Sequence, residues 1–371
     1  MSLATNKVDA PAASISLRDA RVTQMPVQGF RNYWYPVMFA KDLRKRPVAR
    51  QLLGEEILFM RVDGQVQAIQ AGCPHRGAPL AMGMTLAPGL ITCRYHGFTF
   101  DTKTGECVAA LTKGPNSTCV GKLKARTYPV QERCGLVWVY VGEGEAPPLE
   151  EDMPEQMLDP DTVVVGRFSV WKTNWRVAVD NGADVAHVPF LHRNHPFVRF
   201  KRLPSYFKVS TKRDGKWLQV VTSDVGFEAT YPRIGRWPRD LRFRRAAPRP
   251  QTTVCLPGIV RIDFPGIYTH IRWSIAINEH ETLVLQSLAK PVTGWAALRF
   301  KLFYHLWEKW MYHVWFQEDD QHMLAQIDRL APEYLTQSDA IIVQWRRMAR
   351  EARMPFGSAA TPATIDSGSP A

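Results

Sequence analysis

The sequence predicts an α+β protein with a mostly β N-terminal domain and a second domain built on an antiparallel sheet flanked by helices. Three observations carry this. Short strand-like runs, among them Ile57–Val62 and Val66–Ala71 around an Asp63-Gly64 turn, continue through Leu136–Val141. An acidic, proline-rich stretch, Gly142–Pro160, then interrupts every periodic pattern, as a domain linker does. Beyond it, strand-like runs recur to Ala289 around a helical pattern at Asn174–His187, and a long aromatic helix pattern follows at Leu298–Phe316.

Taken in order, residues 1–28 are rich in Ala, Pro and Ser and read as a flexible arm, with the folded body starting at the aromatic segment GFRNYWYPVMF. The first domain is expected over 29–150 and the second over 151–354. Within the second, Val163–Trp171 reads as a strand, and Asn174–His187 as a helix that Pro189 ends or kinks. In Leu298–Phe316, the residues Phe300, Phe303, Tyr304, Trp307, Met311, Val314 and Trp315 follow the i, i+3, i+4, i+7 spacing of an amphipathic helix with one face in the core. A tail from 355 to 371, rich in Ser, Ala, Gly and Pro, is expected to be disordered.

At 371 residues, with 45% hydrophobic and 22% charged residues, the composition excludes wholesale disorder, collagen-like repeats and coiled coils. No apolar run reaches a membrane-spanning length and no signal peptide is visible, so a cytoplasmic protein without a transmembrane segment is expected. The formal charge is +12, of which +10 lies between Arg199 and Arg249, where 14 Lys/Arg face 4 acids. That segment reads first as solvated surface and second as a docking face for an acidic redox partner; acidic substrate, membrane and nucleic acid rank below.

Six cysteines are too few for a disulfide scaffold and direct attention to metals. Cys73-Pro74-His75 and Cys93-Arg94-Tyr95-His96 each offer a thiolate and an imidazole, 17 residues apart. Structural zinc is the weaker reading, because zinc modules usually pair Cys with Cys and His with His. Two loops that each supply a Cys and then a His suit a [2Fe–2S] cluster with the thiolates on one iron and the imidazoles on the other. Gly77 and Gly97 permit the tight turns that close over the sulfides.

Such a cluster has no open coordination position, and the chain offers a second constellation. Asp184 and His187 are three residues apart on the expected helix, and Pro189 redirects the chain so that His192 can converge with His187. Two imidazoles and a distant carboxylate make a facial triad that leaves positions on Fe(II) open. Candidates for the carboxylate are Glu318, Asp319 and Asp320, just past the aromatic helix.

The segments CPHRG and CRYHG with their 17-residue gap resemble the Rieske [2Fe–2S] motif, which implies Cys73, His75, Cys93 and His96 as cluster ligands. Phe98 stands where relatives often have Trp. The pattern N-x-x-D-x-x-H-x-x-x-x-H, here Asn181, Asp184, His187 and His192, is similar to that of the Rieske non-haem iron oxygenases, with His195 a lower-ranked substitute ligand. The resemblance runs from GFRNYWYPVMF through TNWRVAVDNG and EDD to QSDAIIVQWRRMA, and it is nearest to the carbazole dioxygenase type of terminal oxygenase. That type implies a helix-grip catalytic domain and selects Asp320 over Asp319 as the iron carboxylate. The five-residue step from His187 to His192 departs from it by one residue.

The resemblance further implies a homotrimer in which the cluster of one subunit lies beside the mononuclear iron of the next. Asp184 would bridge His96 and His187 across that interface. With no G-x-G-x-x-G turn for a nucleotide, electrons must come from a ferredoxin or a flavin-dependent reductase. Dioxygen would be used to hydroxylate a hydrophobic aromatic, polycyclic or terpenoid- or steroid-like compound, in a cavity lined by Tyr268–Ala289 and Phe300–Phe316. Oxidative demethylation uses the same metal parts. A non-catalytic Rieske electron carrier and a zinc-stabilised nucleic-acid binder are the competing classes.

Overall fold

The computed structural model describes residues 25–114, 117–196, 198, 206–225, 251–328 and 333–353. The N-terminal arm to residue 24, most of the basic segment (199–205 and 226–250) and the tail from 355 lie outside the described residues. Met25–Gln28, expected in the arm, are packed. Met25 is buried, and the Pro26 and Val27 carbonyls accept hydrogen bonds from Trp175 Nε1 at 3.0 Å and Asn174 Nδ2 at 3.2 Å.

The N-terminal part holds β1 (Tyr33–Phe39), β2 (Val48–Leu52), β3 (Glu55–Val62), β4 (Gln65–Gln70), β5 (Leu90–Thr92), β6 (Phe98–Asp101), β7 (Cys107–Ala110), β8 (Val130–Arg133) and β9 (Leu136–Val141). They pair antiparallel in three small sheets, ordered β1-β9-β8, β2-β3-β4 and β5-β6-β7. Asp63 and Gly64 both take positive φ, 48° and 81°, the two-residue turn whose twist suits a hairpin between β3 and β4.

All six residues of β9 are buried because both its faces are covered. On the side away from the metal loops, Trp138 meets Trp273 edge-on at 5.7 Å, and one apolar core runs through both parts of the chain. The acidic connector belongs to that core as well. Leu149, Met153 and Met157 are fully buried, and Asp152 accepts from the Trp34 N–H at 2.8 Å and from Arg353 at 2.9 Å. Apart from Asp152 its acids face outward, and its apolar residues anchor it, so it is a packed strap rather than a loose tether.

The second part is a seven-stranded antiparallel sheet: β10 (Thr162–Trp171), β11 (Tyr206–Asp214), β12 (Trp217–Val225), β13 (Gln251–Cys255), β14 (Ile259–Phe264), β15 (Tyr268–Ala276) and β16 (Thr282–Pro291), in the order β10-β16-β15-β14-β13-β12-β11. Strand alternation turns Ile271, Trp273 and Ile275 of β15 into the shared core. The opposite face lies under helices.

Helix α1 (Trp175–Ala183) starts at Asn174, whose side chain accepts from the Arg176 N–H at 3.1 Å. It ends at Ala183, earlier than the sequence pattern suggests: Asp184 is extended (φ −71°, ψ 126°) and its Oδ1 accepts from the Ala186 N–H at 2.7 Å. A carboxylate one residue past a helix competes with the backbone for that N–H and stops propagation. The short α2 (Val188–Leu191) then carries Pro189 in its first turn, where a missing N–H costs nothing.

The aromatic helix is one rod of three pieces: α3 (Gly294–Phe303), a π-helical segment (Tyr304–Phe316) and α4 (Gln317–Leu324). Its buried face runs Phe300, Tyr304, Glu308, then steps five to His313, and continues through Phe316, Gln317, Asp320 and Leu324. The wider π turn rotates the stripe, so Trp307, expected in the core, is exposed with Leu306 and Trp310; Phe303, expected there too, is already exposed at the end of α3. No helix among the described residues is long and apolar enough to cross a membrane.

Helix α5 (Ala340–Met348) fastens the region from behind: Arg346, 8% exposed, reaches Asp180 on α1 at 2.6 Å and Glu333 at 2.5 and 2.8 Å. Burial raises the Asp180 carboxyl, and the Arg346 guanidinium opposes that shift. Arg346→Met is expected to destabilise the fold by about 3–5 kcal/mol, since it strands a buried carboxylate. Denaturant unfolding reads the loss, and pairing the change with Asp180→Asn should recover part of it.

Candidate metal centres

Two loops at one end of the N-terminal part carry the Cys/His pairs, after β4 and between β5 and β6. They are built alike. The Cys73 N–H donates to Ala78 O and the Gly77 N–H to Cys73 O; in the second loop the Cys93 N–H donates to Phe98 O and the Gly97 N–H to Cys93 O, all within 2.7–2.9 Å. Each loop closes on a glycine four residues after its Cys, with φ of 72° at Gly77 and 71° at Gly97, a region that only glycine enters freely. At Gly97 a Cβ would also sit 3.0 Å from that of Leu111.

The like backbones hold unlike spacings, so Cys73 and Cys93 are buried on the inner side while His75 and His96 come together on the outer side, ring centroids 4.9 Å apart. Phe98 lies against the His75 ring at 4.5 Å. Burial, together with the neighbouring Cys93, pushes the Cys73 thiol up to about 11. The set of two sulfurs inside and two nitrogens outside fits a [2Fe–2S] cluster with its imidazole-bound iron toward the surface.

The second centre forms where α1, α2 and α4 meet. One ligand atom from each of His187, His192 and Asp320 lies within 4.8 Å of the others, with His192 and Asp320 buried and His187 partly so. Nε2 of His187 and of His192 approach Asp320 Oδ1 at 3.5 and 3.2 Å. Each imidazole has a second carboxylate at its other nitrogen: Asp184 Oδ2 is 3.3 Å from His187 Nδ1, and Asp319 Oδ2 is 3.4 Å from His192 Nδ1. Carboxylates so placed fix the ring orientation and leave Nε2 free for a cation.

Asp184 and His187 therefore meet by a different route from the shared helix face. The bend after Ala183 brings them together. The three neighbouring acids also separate: Asp320 points into the triad, Asp319 stands behind His192, and Glu318 on the same turn is exposed. His195 is turned away, its Nε2 2.9 Å from the Met311 carbonyl.

Around the triad the structure gives Asn181, singled out in the sequence, a place beside the carboxylate, and adds Arg272, which was not singled out. Asn181 donates to Asp320 Oδ1 at 3.0 Å and is itself held by Arg272, whose Nη1 donates to Asn181 Oδ1 at 3.2 Å. Arg272 also donates to the Ala178 carbonyl and lies over the Trp171 ring at 5.3 Å. Burial alone would raise the Asp320 carboxyl, but the His192 hydrogen bond and the charges of His187, His192 and Arg272 hold it below the usual carboxylate range. Phe316 stacks on His192 at 3.6 Å and shuts water from that side. The signal for Arg272 was a polar residue at every second position of an apolar strand.

Comparison with known proteins follows the same division. The Rieske [2Fe-2S] domain family matches residues 33–129, and the homotrimeric ring hydroxylase family matches residues 140–354. The terminal oxygenase component of carbazole 1,9a-dioxygenase from Metapseudomonas resinovorans is 31% identical over 350 residues, covering 87% of this chain and 91% of that one. The structure of the reduced complex between oxygenase and ferredoxin in carbazole 1,9a-dioxygenase superposes with a TM-score of 0.77 at 27% identity, covering 94% of this chain and 96% of that one. The oxygenase component of dicamba O-demethylase from Stenotrophomonas maltophilia is 34% identical, but over 44% of this chain and 48% of its own length. This chain belongs to the homotrimeric ring hydroxylases, Rieske-type terminal oxygenases that combine a [2Fe–2S] cluster with a mononuclear iron.

Proposed function

We propose that this chain is the terminal oxygenase of a multicomponent system that takes electrons from a ferredoxin and oxygenates a flat, hydrophobic aromatic or polycyclic compound of the carbazole kind. The observation that carries the reading is the triad of His187, His192 and Asp320 with a further carboxylate behind each imidazole. An electron carrier has no use for it. The likeness to carbazole dioxygenase components over most of the chain supports the substrate class and the ferredoxin, and the demethylase likeness stops short of most of the chain.

In this reading residues 29–150 form the cluster domain and 151–354 the catalytic domain. Cys73, His75, Cys93 and His96 hold the cluster; His187, His192 and Asp320 hold the iron. The iron supplies dioxygen activation and the cluster supplies electrons singly. Asn181 and Arg272 fix Asp320, Asp319 orients His192, and Asp184 orients His187 while its partly exposed carboxylate reaches for His96 of a neighbouring subunit in the trimer. Cysteines buried or unpaired throughout favour a reducing, cytoplasmic setting.

The test is oxygen uptake by the holoenzyme with NADH, ferredoxin, reductase and carbazole. Uptake that needs both ferredoxin and carbazole, with label from 18O2 in the product, is the expected result. Ferredoxin-driven reduction of the cluster with no carbazole-dependent uptake, no labelled product and no mononuclear iron bound at the triad would return the chain to the carrier class.

A further inference from the structure

Strand β15 breaks its apolar pattern at every second residue, His270, Arg272 and Ser274, and all three lie on the face opposite the shared core, with His270 against the helical rod. Each leaves a buried polar atom without a hydrogen-bond partner among the described residues: both ring nitrogens of His270, Nε of Arg272 and Oγ of Ser274. His313 faces them from the π segment, 1% exposed, with its Nδ1 3.1 Å from Tyr304 Oη and its Nε2 unmet. The His270 and His313 rings are 5.4 Å apart.

Native proteins leave few buried polar groups unsatisfied, and a cluster of them marks a place that something else completes. Burial holds both imidazoles neutral, His270 well below its ordinary value and His313 at about 3. His270 therefore offers one N–H and one lone pair rather than a charge. Its position ties it to the iron site. The His270 ring meets Tyr312 at 5.0 Å, Tyr312 meets Phe316 at 5.2 Å, and Phe316 stacks on His192. The pair thus stands at the far end of an aromatic wall whose near end is the triad.

We propose that His270, with His313 beside it, forms the polar end of the substrate site and hydrogen-bonds a hydroxyl on the ring of the aromatic substrate remote from the oxidised carbon. A hydroxyl donates and accepts at once and so can join one open nitrogen of His270 to the unmet Nε2 of His313, one serving as donor and the other as acceptor. A carboxylate only accepts, and an ammonium only donates and would be repelled by Arg272 and by Arg167, which donates to the His313 carbonyl at 3.2 Å. The inference rests on the oxygenase reading and narrows its substrate to hydroxylated polycycles.

The test is anaerobic equilibrium dialysis of the holoenzyme with fluorene and 2-hydroxyfluorene, which differ by the one group. The intact protein is expected to bind 2-hydroxyfluorene at least about tenfold more tightly, as a hydrogen bond to otherwise unmet buried groups allows. His270→Phe should bring the two ligands within about twofold while fluorene binding holds, and His270→Gln, which keeps a donor and an acceptor, should restore part of the preference. Should His270→Phe lose iron, His313→Phe serves, with a smaller drop expected. Equal binding of the two ligands by the intact protein, or an undiminished preference in His270→Phe, overturns the proposal. Failure of the oxygenase reading would show separately, as absent mononuclear iron in the intact protein.

Discussion

Asp320→Ala is expected to keep the cluster's visible spectrum and lose the mononuclear iron, with substrate-dependent oxygen uptake falling more than about 100-fold. Partners that merely orient a metal ligand change affinity or activity by about 10–100-fold, so loss of a ligand should exceed that range. Asp320 is 2% exposed, lies within 3.5 Å of both imidazole Nε2 atoms and accepts from the Asn181 amide, so it already fills the place a neighbouring acid would need. Asp319→Ala is the control. It removes the group behind His192 and should weaken iron binding within the 10–100-fold range without abolishing it. Equal iron loss in the two variants, or greater loss from Asp319→Ala, would reverse their assigned roles.

Asp184→Ala should separate metal content from turnover. Its carboxylate stands 3.3 Å from His187 Nδ1 on the side away from the triad, with 23% of the side chain exposed. His187 keeps its Nε2 and its place beside Asp320, so both metals are expected to stay bound. On the proposed bridging role, what is lost is the connection from the iron-side imidazole to the cluster-side imidazole of a neighbouring subunit. Single-turnover mixing of reduced protein with dioxygen and carbazole should show cluster re-oxidation slowed by at least about 10-fold, with product reduced in parallel. Asp184→Asn, which keeps the shape without the charge, should fall between. Unchanged coupled turnover in Asp184→Ala would remove the bridge from the account.

The α+β class, the packed cluster domain and the family were legible because the residues concerned are close in sequence. Four cluster-type residues fall between Cys73 and His96, and the loops that hold them close on glycines visible in the sequence. Asp184 and His187 were legible as neighbours for the wrong reason, since a bend rather than a helix joins them. The helical stripe through Trp307 failed because a π turn cannot be read from a 3.6-residue period: one extra residue per turn moves every later side chain.

Arg272 and His270 stayed hidden for another cause. Polar residues alternating in an apolar strand normally mark a solvated face. Only the helical rod laid over that face turns them into buried groups, one holding Asn181 and the other with nothing to hold. The face of β15 expected to be apolar carries a polar row, a result of tertiary placement that no local pattern encodes.

The central claim, that one chain holds both a Rieske cluster and a separate iron, is tested most directly by iron and acid-labile sulfide per chain on anaerobically purified protein, with spin-resonance spectra of the reduced form. The account predicts about three irons and two sulfides, two irons from the cluster and one from the triad, with a Rieske signal. Two irons that do not rise to three on reconstitution with Fe(II), or zinc without sulfide, would contradict it.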